Sequence, residues 1–310
     1  APNGVIDLSK VAEEPPEAED DDERLKRMKG WLTPPDRGMR NTRVLGVEFR
    51  PEAACPAFDA FMELIQPDSA MRGFLLRCLG LTLFGRNTEQ VAILMRGGGG
   101  NGKSTLVNAL RHVLGGYAAP CKIEMVLDGR EDRAGQATPE EVDLPGARAL
   151  IMSEPGPRDR LSSKKIKSLT GGDPRPARAL NMPQFIYTPT GVPIISFNRT
   201  PDVPDEDEGT WRRLAFVTFD VDLRQLPEDK RLRPEDVEAE LREEGSGILN
   251  RLLDAFAATR EMGLAPPEAA TEMKHELRSA SDPVGEFLTF CCDRSEGARV
   301  QANELYESYA

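Results

Sequence analysis

The stretch Gly97-Gly98-Gly99-Gly100-Asn101-Gly102-Lys103-Ser104 decides the fold that this sequence predicts. It satisfies the pattern G-x-x-x-x-G-K-[ST], in which glycines let backbone N–H groups converge on phosphate oxygens. An apolar run at 91–95 precedes the loop and a helix-forming run at 105–110 follows it. A Gly-rich turn that matches by chance is the alternative. Strand, loop and helix in this order is the setting that a phosphate loop requires, so nucleotide binding is the stronger interpretation.

Two side chains of this loop have separate predicted roles. Lys103 supplies a positive charge for the β and γ phosphates of ATP, and the Ser104 hydroxyl can ligate Mg²⁺. The helix that begins there adds its positive end. We expect ATP and Mg²⁺ as cofactors. The residues expected to bind them are Gly99, Gly100, Asn101, Gly102, Lys103, Ser104 and Thr105.

Short apolar runs around the loop predict a parallel sheet, because strands buried on both faces are apolar throughout. The predicted strands are Gln90–Met95, Ala149–Ser153, Pro193–Phe197 and Leu214–Phe219. The predicted helices between them are Lys103–Leu114 and Ser162–Leu169. The fold class is therefore α/β, with a P-loop core and helical segments on both sides of it in sequence.

Composition and hydrophobic spacing divide the chain into four predicted parts. Acidic residues and prolines between Glu13 and Glu23 indicate a solvated linker. The parts are a partly extended N-terminal segment with this linker at 1–50, a helical domain of the oligomerisation type at 51–88, the ATPase core at 89–225 and a C-terminal helical segment at 226–310.

Polar residues follow two of the predicted strands. Glu154 ends an apolar strand, where P-loop ATPases place the acid that orients the attacking water or binds Mg²⁺ indirectly. Asn198 ends another, where an amide can hydrogen-bond the γ-phosphate or the water. Read singly, Glu154 could be a surface residue and Asn198 a turn residue. Together they predict a hydrolytic site beside the loop.

Arg212 and Arg213 precede the last predicted strand. An arginine at this place could reach the nucleotide of a neighbouring subunit and stabilise charge that develops during hydrolysis. The alternative is a pair of surface arginines that flank a strand.

The charge distribution favours one anion-binding place on an acidic protein. A net charge of −12 by itself argues against nucleic acid, but basic residues predominate between 158 and 178. Four of them are candidate DNA contacts, with a solvated helix face as the alternative for each: Lys164, Lys167, Arg175 and Arg178.

Cysteine usage and hydropathy predict a cytoplasmic protein with no membrane partner. The five cysteines have neither zinc-ligand nor disulfide spacing, and we expect them to be reduced and buried. No apolar run approaches the roughly 20 residues that span a bilayer.

The order of motifs resembles superfamily 3 helicases, specifically the phage and plasmid primase–helicase branch that is shared with poxvirus-type primase–helicases. The resemblance covers nearly the whole chain. The segments that carry it are Asn3–Leu8, Ala53–Phe58, Gly99–Thr105, Ile166–Asp173 with Ala177-Arg178, Phe197–Pro201, Trp211–Arg213, Gly247–Asn250 and Asp282–Val284.

The resemblance implies an AAA+-like ring, usually a hexamer, that pulls single-stranded DNA through its centre with ATP. Each nucleotide would lie between subunits, with Arg213 as the first candidate for the arginine finger and Arg212 as the second. Glu154 would polarise water and Asn198 would sense the γ-phosphate. The family places a DNA-contacting hairpin where residues 175–187 lie, and a primase or polymerase domain is an implied partner. Ser153 stands where many P-loop ATPases have a further acid, so Glu154 would serve both metal and water.

Two alternatives remain at this point. A DNA-packaging or remodelling motor would share the phosphate loop, but it does not predict the Thr170–Asp173 block or the Asn198–Pro201 motif. A nucleotide-gated replication scaffold that docks a primase or polymerase would bind its partner tightly and show negligible DNA-stimulated turnover.

Overall fold

The structure is a computed structural model. It describes residues 1–11, 20–35, 38, 42–129, 138–152, 154–156, 159–198, 201–203, 208–227, 233–281, 287–288, 291–292, 295, 297 and 299–309.

Nine strands lie in the described residues and form three sheets. They are β1 (Val5–Ile6), β2 (Leu32–Thr33), β3 (Ala92–Arg96), β4 (Ala118–Cys121), β5 (Ala149–Met152), β6 (Arg175–Ala177), β7 (Phe185–Tyr187), β8 (Val192–Phe197) and β9 (Leu214–Thr218). The central sheet has five parallel strands in the order β4-β5-β8-β3-β9. The strands β1 and β2 form an antiparallel pair, as do β6 and β7.

Helices lie before, between and after these strands. They are α1 (Leu8–Val11), α2 (Asp21–Lys29), α3 (Pro56–Ile65), α4 (Ser69–Gly80), α5 (Lys103–Leu114), α6 (Ser163–Gly171), α7 (Glu208–Trp211), α8 (Pro234–Glu243), α9 (Gly245–Met262), α10 (Glu268–Ser281) and α11 (Ala302–Tyr309).

The central sheet is buried on both faces, which explains why its strands are continuously apolar. Successive side chains of a strand point to opposite faces. Along β3, Ile93 and Met95 pack into one core with α3, α4, α5 and α9, whereas Ala92 and Leu94 pack into a second core that contains residues of α6 and α7. The phosphate loop therefore emerges from a strand with little freedom to move.

The helices before the sheet in sequence pack against helices that follow it. Helix α4 contacts α9, and both contribute to the first core. The carboxylate of Glu244 accepts hydrogen bonds from the backbone N–H groups of Ala57 (2.9 Å) and Phe58 (2.8 Å) at the start of α3. A carboxylate stabilises a helix at this end because the first N–H groups have no partner within the helix.

The predicted fold class, α/β with an AAA+-like P-loop core and flanking helices, is confirmed. Four strands of the central sheet lie where the sequence predicts them, with ends that differ by at most two residues. The edge strand β4 is not among the predicted strands, since it contains Pro120 and only one of its residues is buried. No described helix is long and apolar enough to cross a bilayer.

Candidate functional site

The phosphate loop joins β3 to α5 at the carboxyl edge of the central sheet. Gly99, Gly100 and Gly102 have φ angles of 89°, 66° and 82°, a region that glycine adopts without strain. A Cβ atom at Gly102 would also lie 2.5 Å from the side chain of Ile65. The sequence GGGGNGKS thus permits a turn that other residues could not form. This turn points the amino end of α5 at the space beyond the carboxyl ends of the central strands.

Lys103 is buried within this loop, with 6% of the residue exposed. Its Nζ donates hydrogen bonds to the Gly97 carbonyl (2.7 Å) and to Asn101 Oδ1 (3.0 Å). Asn101 is held in turn because its Nδ2 donates to the Phe219 carbonyl (3.1 Å). Burial lowers the pKa of Lys103, and the charge of Glu154 acts in the opposite direction. The ammonium is therefore held by neutral acceptors, and a phosphate would be a more favourable partner.

Glu154 and Asn198 meet beside the loop, because β5 and β8 are parallel neighbours whose carboxyl ends coincide. The backbone N–H of Asn198 donates to Glu154 Oε1 (2.8 Å), and its Nδ2 donates to Oε2 (3.0 Å). Both residues are exposed to the space above the sheet. Ser153, Arg199 and Thr200 lie outside the described residues.

A cavity of about 870 Å³ connects these groups. This volume is within the range typical of small-molecule sites. One end is polar and is lined by Lys103, Ser104, Glu154 and Asn198. The other end lies between α3, α5 and α8 and is mainly apolar, with Phe61, Leu64, Val107, Pro234 and Val237 in its wall.

The polar end has a donor set that fits Mg²⁺ carried by a nucleotide. The Ser104 hydroxyl and the Glu154 carboxylate both line the cavity. No group of three or more His, Cys, Asp or Glu residues able to hold a metal occurs in the described part of the chain. Mg²⁺ commonly binds through one or two protein oxygens, waters and substrate phosphates, so these two residues match a metal that arrives with its ligand.

Arg224 is a cation at this cavity that the sequence motifs do not single out. It belongs to a 3-10 turn, Leu223–Gln225, that follows β9. No sequence motif marks position 224. Arg224 lies close to Gly100 only because of the path that the chain takes after β9.

Arg212 and Arg213 lie at the opposite edge of the central sheet, immediately before β9. Arg212 is exposed. The half-buried Arg213 donates from Nη1 to the Gly209 carbonyl (2.7 Å) and from Nη2 to Gln90 Oε1 (3.1 Å). A five-residue strand spans roughly 16 Å at about 3.3 Å per residue. Neither arginine is therefore placed to reach the phosphate loop of its own chain.

The basic strip is partly neutralised by partners within the chain. Arg175 forms an ion pair with Glu141, and their side chains are 13% and 8% exposed. Its Nη1 also donates to Ser168 Oγ (3.0 Å), while the Tyr187 hydroxyl donates to Glu141 (2.8 Å). Burial by itself lowers the pKa of Arg175, but the hydrogen bonds to Glu141 and the negative charge of that carboxylate outweigh burial. The pKa of Arg175 is therefore raised above its usual value. This geometry lets Arg175 anchor the β6–β7 hairpin on α6 and on the turn that contains Glu141, and its contact with DNA stays a prediction.

Replacing Arg175 with methionine is expected to lower the free energy of unfolding by about 3 kcal/mol, because Glu141 would lose its buried partner. Urea denaturation measures this change. Arg50→Met is the matched control, since Arg50 pairs with Glu48 on the surface, where both side chains are about half exposed. Its effect should stay below about 1 kcal/mol. Equal effects of the two substitutions would contradict the anchoring role.

Other basic candidates differ in accessibility. Lys164 is exposed on α6, whereas Lys165 donates to the Glu124 carbonyl (3.0 Å). Lys167 is half-buried on the same helix. Arg178 begins the turn between β6 and β7, and its Nε donates to the Met182 carbonyl (3.2 Å).

The hairpin exposes apolar side chains both in its turn and on β7. Leu180 is 74% exposed, Met182 58% and Ile186 71%. Neighbouring exposed apolar residues mark contact surfaces more often than isolated ones do. The sequence predicts two hairpin arms here, but it gives no sign that the turn between them is apolar and exposed.

The cysteines are only partly as predicted. Cys55 and Cys78 are buried, but Cys291 is exposed, and Cys121 and Cys292 are half-buried. Burial raises the pKa of Cys55 and of Cys121 to about 12. The expectation that all thiols are buried is therefore wrong for Cys291, which lies near the carboxyl end beyond the cores.

Comparisons with known proteins relate this chain to viral replication proteins. A protein-family model described as a family of unknown function, DUF5906, matches residues 95–213. A protein of Acanthamoeba polyphaga mimivirus named "Putative helicase L207/L206" is 29% identical over 266 residues, which are 81% of this chain and 27% of that protein. "Putative helicase 022R" of Frog virus 3 is 32% identical over 52% of this chain and 17% of that protein. "Putative primase C962R" of African swine fever virus is 27% identical over 60% of this chain and 20% of that protein.

These relatives confirm the resemblance to primase–helicases that the motifs indicated. The chain spans about a quarter or less of the length of these curated relatives. Among solved structures, the C-terminal region of NrS-1, residues 305–718, is similar with a TM-score of 0.61 and 16% identity, over 80% of this chain and 58% of that one. A second structure of that region gives a TM-score of 0.58 and 14% identity, over 98% of this chain and 69% of that one. Because the identities are only 16% and 14%, these two comparisons show similarity of fold alone.

Proposed function

We propose that this chain, a relative of viral helicases and primases, is an ATP-driven motor that moves single-stranded DNA through a ring, as the helicase part of a primase–helicase. The observation that carries the proposal is the convergence of Lys103, Ser104, Glu154 and Asn198 on one cavity at the carboxyl edge of a parallel sheet. Lys103 meets the phosphates, and Glu154 faces the water that attacks them.

The cavity defines an orientation for the nucleotide. The triphosphate would lie against the phosphate loop, where N–H groups and the positive end of α5 stabilise its charge. The base would extend toward the apolar end, where Phe61 and Val237 remove its faces from water. Asn108 and Glu238 also line this end and are hydrogen-bonded to each other (2.9 Å). They offer polar groups for the edge of the base.

The contact between Glu154 and Asn198 suits a site that responds to the γ-phosphate. The Asn198 side-chain amide donates a hydrogen bond to the Glu154 carboxylate. A γ-phosphate at the polar end would compete for this amide and release one carboxylate oxygen. That oxygen would accept a proton from the attacking water, which makes Glu154 the general base and Asn198 the residue that senses the phosphate.

Ser104 and Glu154 would hold Mg²⁺, the second directly or through water. When bound, Mg²⁺ neutralises charge on the β and γ phosphates. Because Ser153 precedes Glu154 in the sequence, where many P-loop ATPases carry a further acid, metal binding and water activation would share one carboxylate.

The positions of Arg212 and Arg213 imply that a second subunit completes each nucleotide site. Phosphoryl transfer gains from a cation near the γ-phosphate, and Arg212 and Arg213 lie at the far edge of the sheet. In a ring, this edge of one subunit would face the nucleotide of the next. Arg213 is the preferred finger, with Arg212 as the second candidate, because hydrogen bonds to the Gly209 carbonyl and to Gln90 fix the position of its guanidinium. A closed hexamer is the ring that we propose.

The hairpin β6–β7 is the proposed contact with DNA. Its base is fixed by Arg175, its turn bears Arg178, Leu180 and Met182, and β7 bears the exposed Ile186. Lys164 and Lys167 lie on the adjoining helix α6. Cations would follow the phosphates without reading sequence, while apolar groups would contact bases and sugars. A ring repeats each contact in every subunit, so few cations in each chain are sufficient.

The double substitution Lys164→Ala with Lys167→Ala should weaken binding of an oligo(dT) strand and reduce its salt dependence. The plot of log association constant against log salt concentration should become less steep. Its slope should shrink in magnitude by about 0.7 for each phosphate that the two lysines neutralise in the parent protein. Fluorescence anisotropy at several salt concentrations measures both quantities. Lys10→Ala is the matched control, because it removes a lysine charge on α1, outside α6 and the hairpin. A slope that equals that of the parent protein would remove α6 from the proposed interface.

Strand displacement separates the helicase from the two alternatives. A forked DNA duplex with a labelled strand should be unwound in the presence of ATP, and not with a non-hydrolysable analogue. A packaging or remodelling motor would hydrolyse ATP on duplex DNA without releasing the strand. A nucleotide-gated scaffold would bind a primase or polymerase partner tightly and turn over no faster when DNA is added.

A further inference from the structure

The segment after β9 is attached to the phosphate loop by its backbone. The N–H of Leu223 donates to the Gly100 carbonyl (2.8 Å). The Asp222 side chain caps the short turn that follows, accepting a hydrogen bond from the Arg224 N–H (3.0 Å). This turn therefore has a fixed position relative to the loop.

The Arg224 side chain extends over the loop from this turn. A Cβ atom at Gly100 would lie 2.5 Å from Arg224 Nε, so the guanidinium packs directly against this glycine. Arg224 lines the same cavity as Lys103 and Ser104. Its side chain is 68% exposed, whereas Lys103 is buried. The loop thus has one cation within it and a second at its open side.

Asp222 fixes the orientation of this guanidinium and leaves donors available. Arg224 Nε donates to Asp222 Oδ1 (2.8 Å) and Nη2 donates to Oδ2 (2.9 Å). In the described part of the chain, no group accepts a hydrogen bond from its Nη1. An arginine has five N–H donors in a planar fork, so three remain for a ligand. A phosphate matches such a fork because it can accept two parallel hydrogen bonds.

We propose that Arg224 binds the polyphosphate of the nucleotide from the open side of the loop, and that Asp222 is the residue that positions it. This inference rests on the proposed nucleotide site and adds a ligand-binding residue of the same chain to it. A surface ion pair with no function is the alternative. The pair Glu48–Arg50 has the same spacing in sequence and is also exposed, but it borders no part of this cavity.

Competition against a fluorescent ATP analogue tests this assignment with three ligands: ATP, ADP and inorganic tripolyphosphate. Arg224→Ala should weaken all three by about tenfold, because each carries the charges that the guanidinium contacts. Arg224→Lys should recover only part of this loss, since an ammonium lacks the fork. Arg50→Ala is the matched control and should leave the three affinities unchanged.

Asp222→Asn should weaken ATP severalfold in the parent protein and have no further effect in the Arg224→Ala protein, because it acts through the guanidinium. If Asp222→Asn bound ATP more tightly than the parent protein, Asp222 would be competing with the phosphates for Arg224. That result would contradict the role of Asp222 as the residue that positions the guanidinium. Unchanged affinity for ATP and tripolyphosphate in Arg224→Ala would overturn the phosphate contact. A parent protein that binds none of the ligands would instead overturn the proposed nucleotide site itself.

Discussion

Lys103→Ala is expected to reduce ATP hydrolysis to background, by roughly 10³-fold or more, while the protein stays folded. The loss follows from removing the charge that meets the β and γ phosphates, and loss of one donor to a transition state commonly costs 10²–10³-fold. The fold should survive because Lys103 is a buried cation whose two acceptors are neutral. Its removal leaves these acceptors unpaired but also removes the cost of burying the charge.

Phosphate release measures the activity, and thermal unfolding with and without ATP measures folding and binding. The parent protein should melt at a higher temperature with Mg²⁺ and ATP, since a ligand stabilises the state that it binds. The Lys103→Ala protein should melt close to the parent without ATP and show little increase with it. Lys165→Ala removes a lysine ammonium that lies outside the cavity and serves as the control. Full hydrolysis by Lys103→Ala would refute the phosphate loop as the site of catalysis.

Arg213→Ala is expected to lower the turnover rate by about 10³-fold and to leave ATP binding unchanged. Arginine fingers contribute about this factor or more to phosphoryl transfer. Binding should persist because Arg213 lies at the edge of the sheet away from the phosphate loop of its own chain. Arg212→Ala is the comparison, since Arg212 is adjacent in sequence and exposed. Full activity of Arg213→Ala together with inactive Arg212→Ala would transfer the role to Arg212.

A mixture of two inactive proteins tests whether the arginine acts on a neighbour. The Lys103→Ala protein retains its arginine, and the Arg213→Ala protein retains its phosphate loop. If the subunits exchange in a ring, some sites combine an intact loop with an intact arginine, and the mixture should hydrolyse ATP. A mixture as inactive as its components, with subunit exchange shown separately, would place both groups in the site of a single chain.

Much of this architecture could be predicted because its signals are local. A phosphate loop needs glycine at fixed positions, and the φ angles of Gly99, Gly100 and Gly102 show why. Strands buried on both faces give apolar runs, which locate β3, β5, β8 and β9. Glu154 and Asn198 are recognisable as strand ends, and parallel strands bring such ends together.

The remainder depends on contacts between distant parts of the chain. Arg175 belongs to a basic strip in the sequence, but its pairing with Glu141 arises only when the hairpin folds against the turn Pro139–Glu141. Arg224 is marked by no motif, and its position over Gly100 follows from the path of the chain after β9. Strand β4 is short and lies at an edge of the sheet, so its hydrophobic signal is weak. The domain boundaries stay a prediction, and helices α4 and α9 from different predicted parts share one core.

The central claim is that ATP hydrolysis occurs at sites shared between subunits on single-stranded DNA. Steady-state ATPase activity, measured with and without oligo(dT) over a range of protein concentrations, tests it most directly. We predict strong stimulation by DNA and a specific activity that rises cooperatively with protein concentration, as rings assemble. Activity that is the same with and without DNA, and constant per subunit at all concentrations, would contradict the shared-site motor.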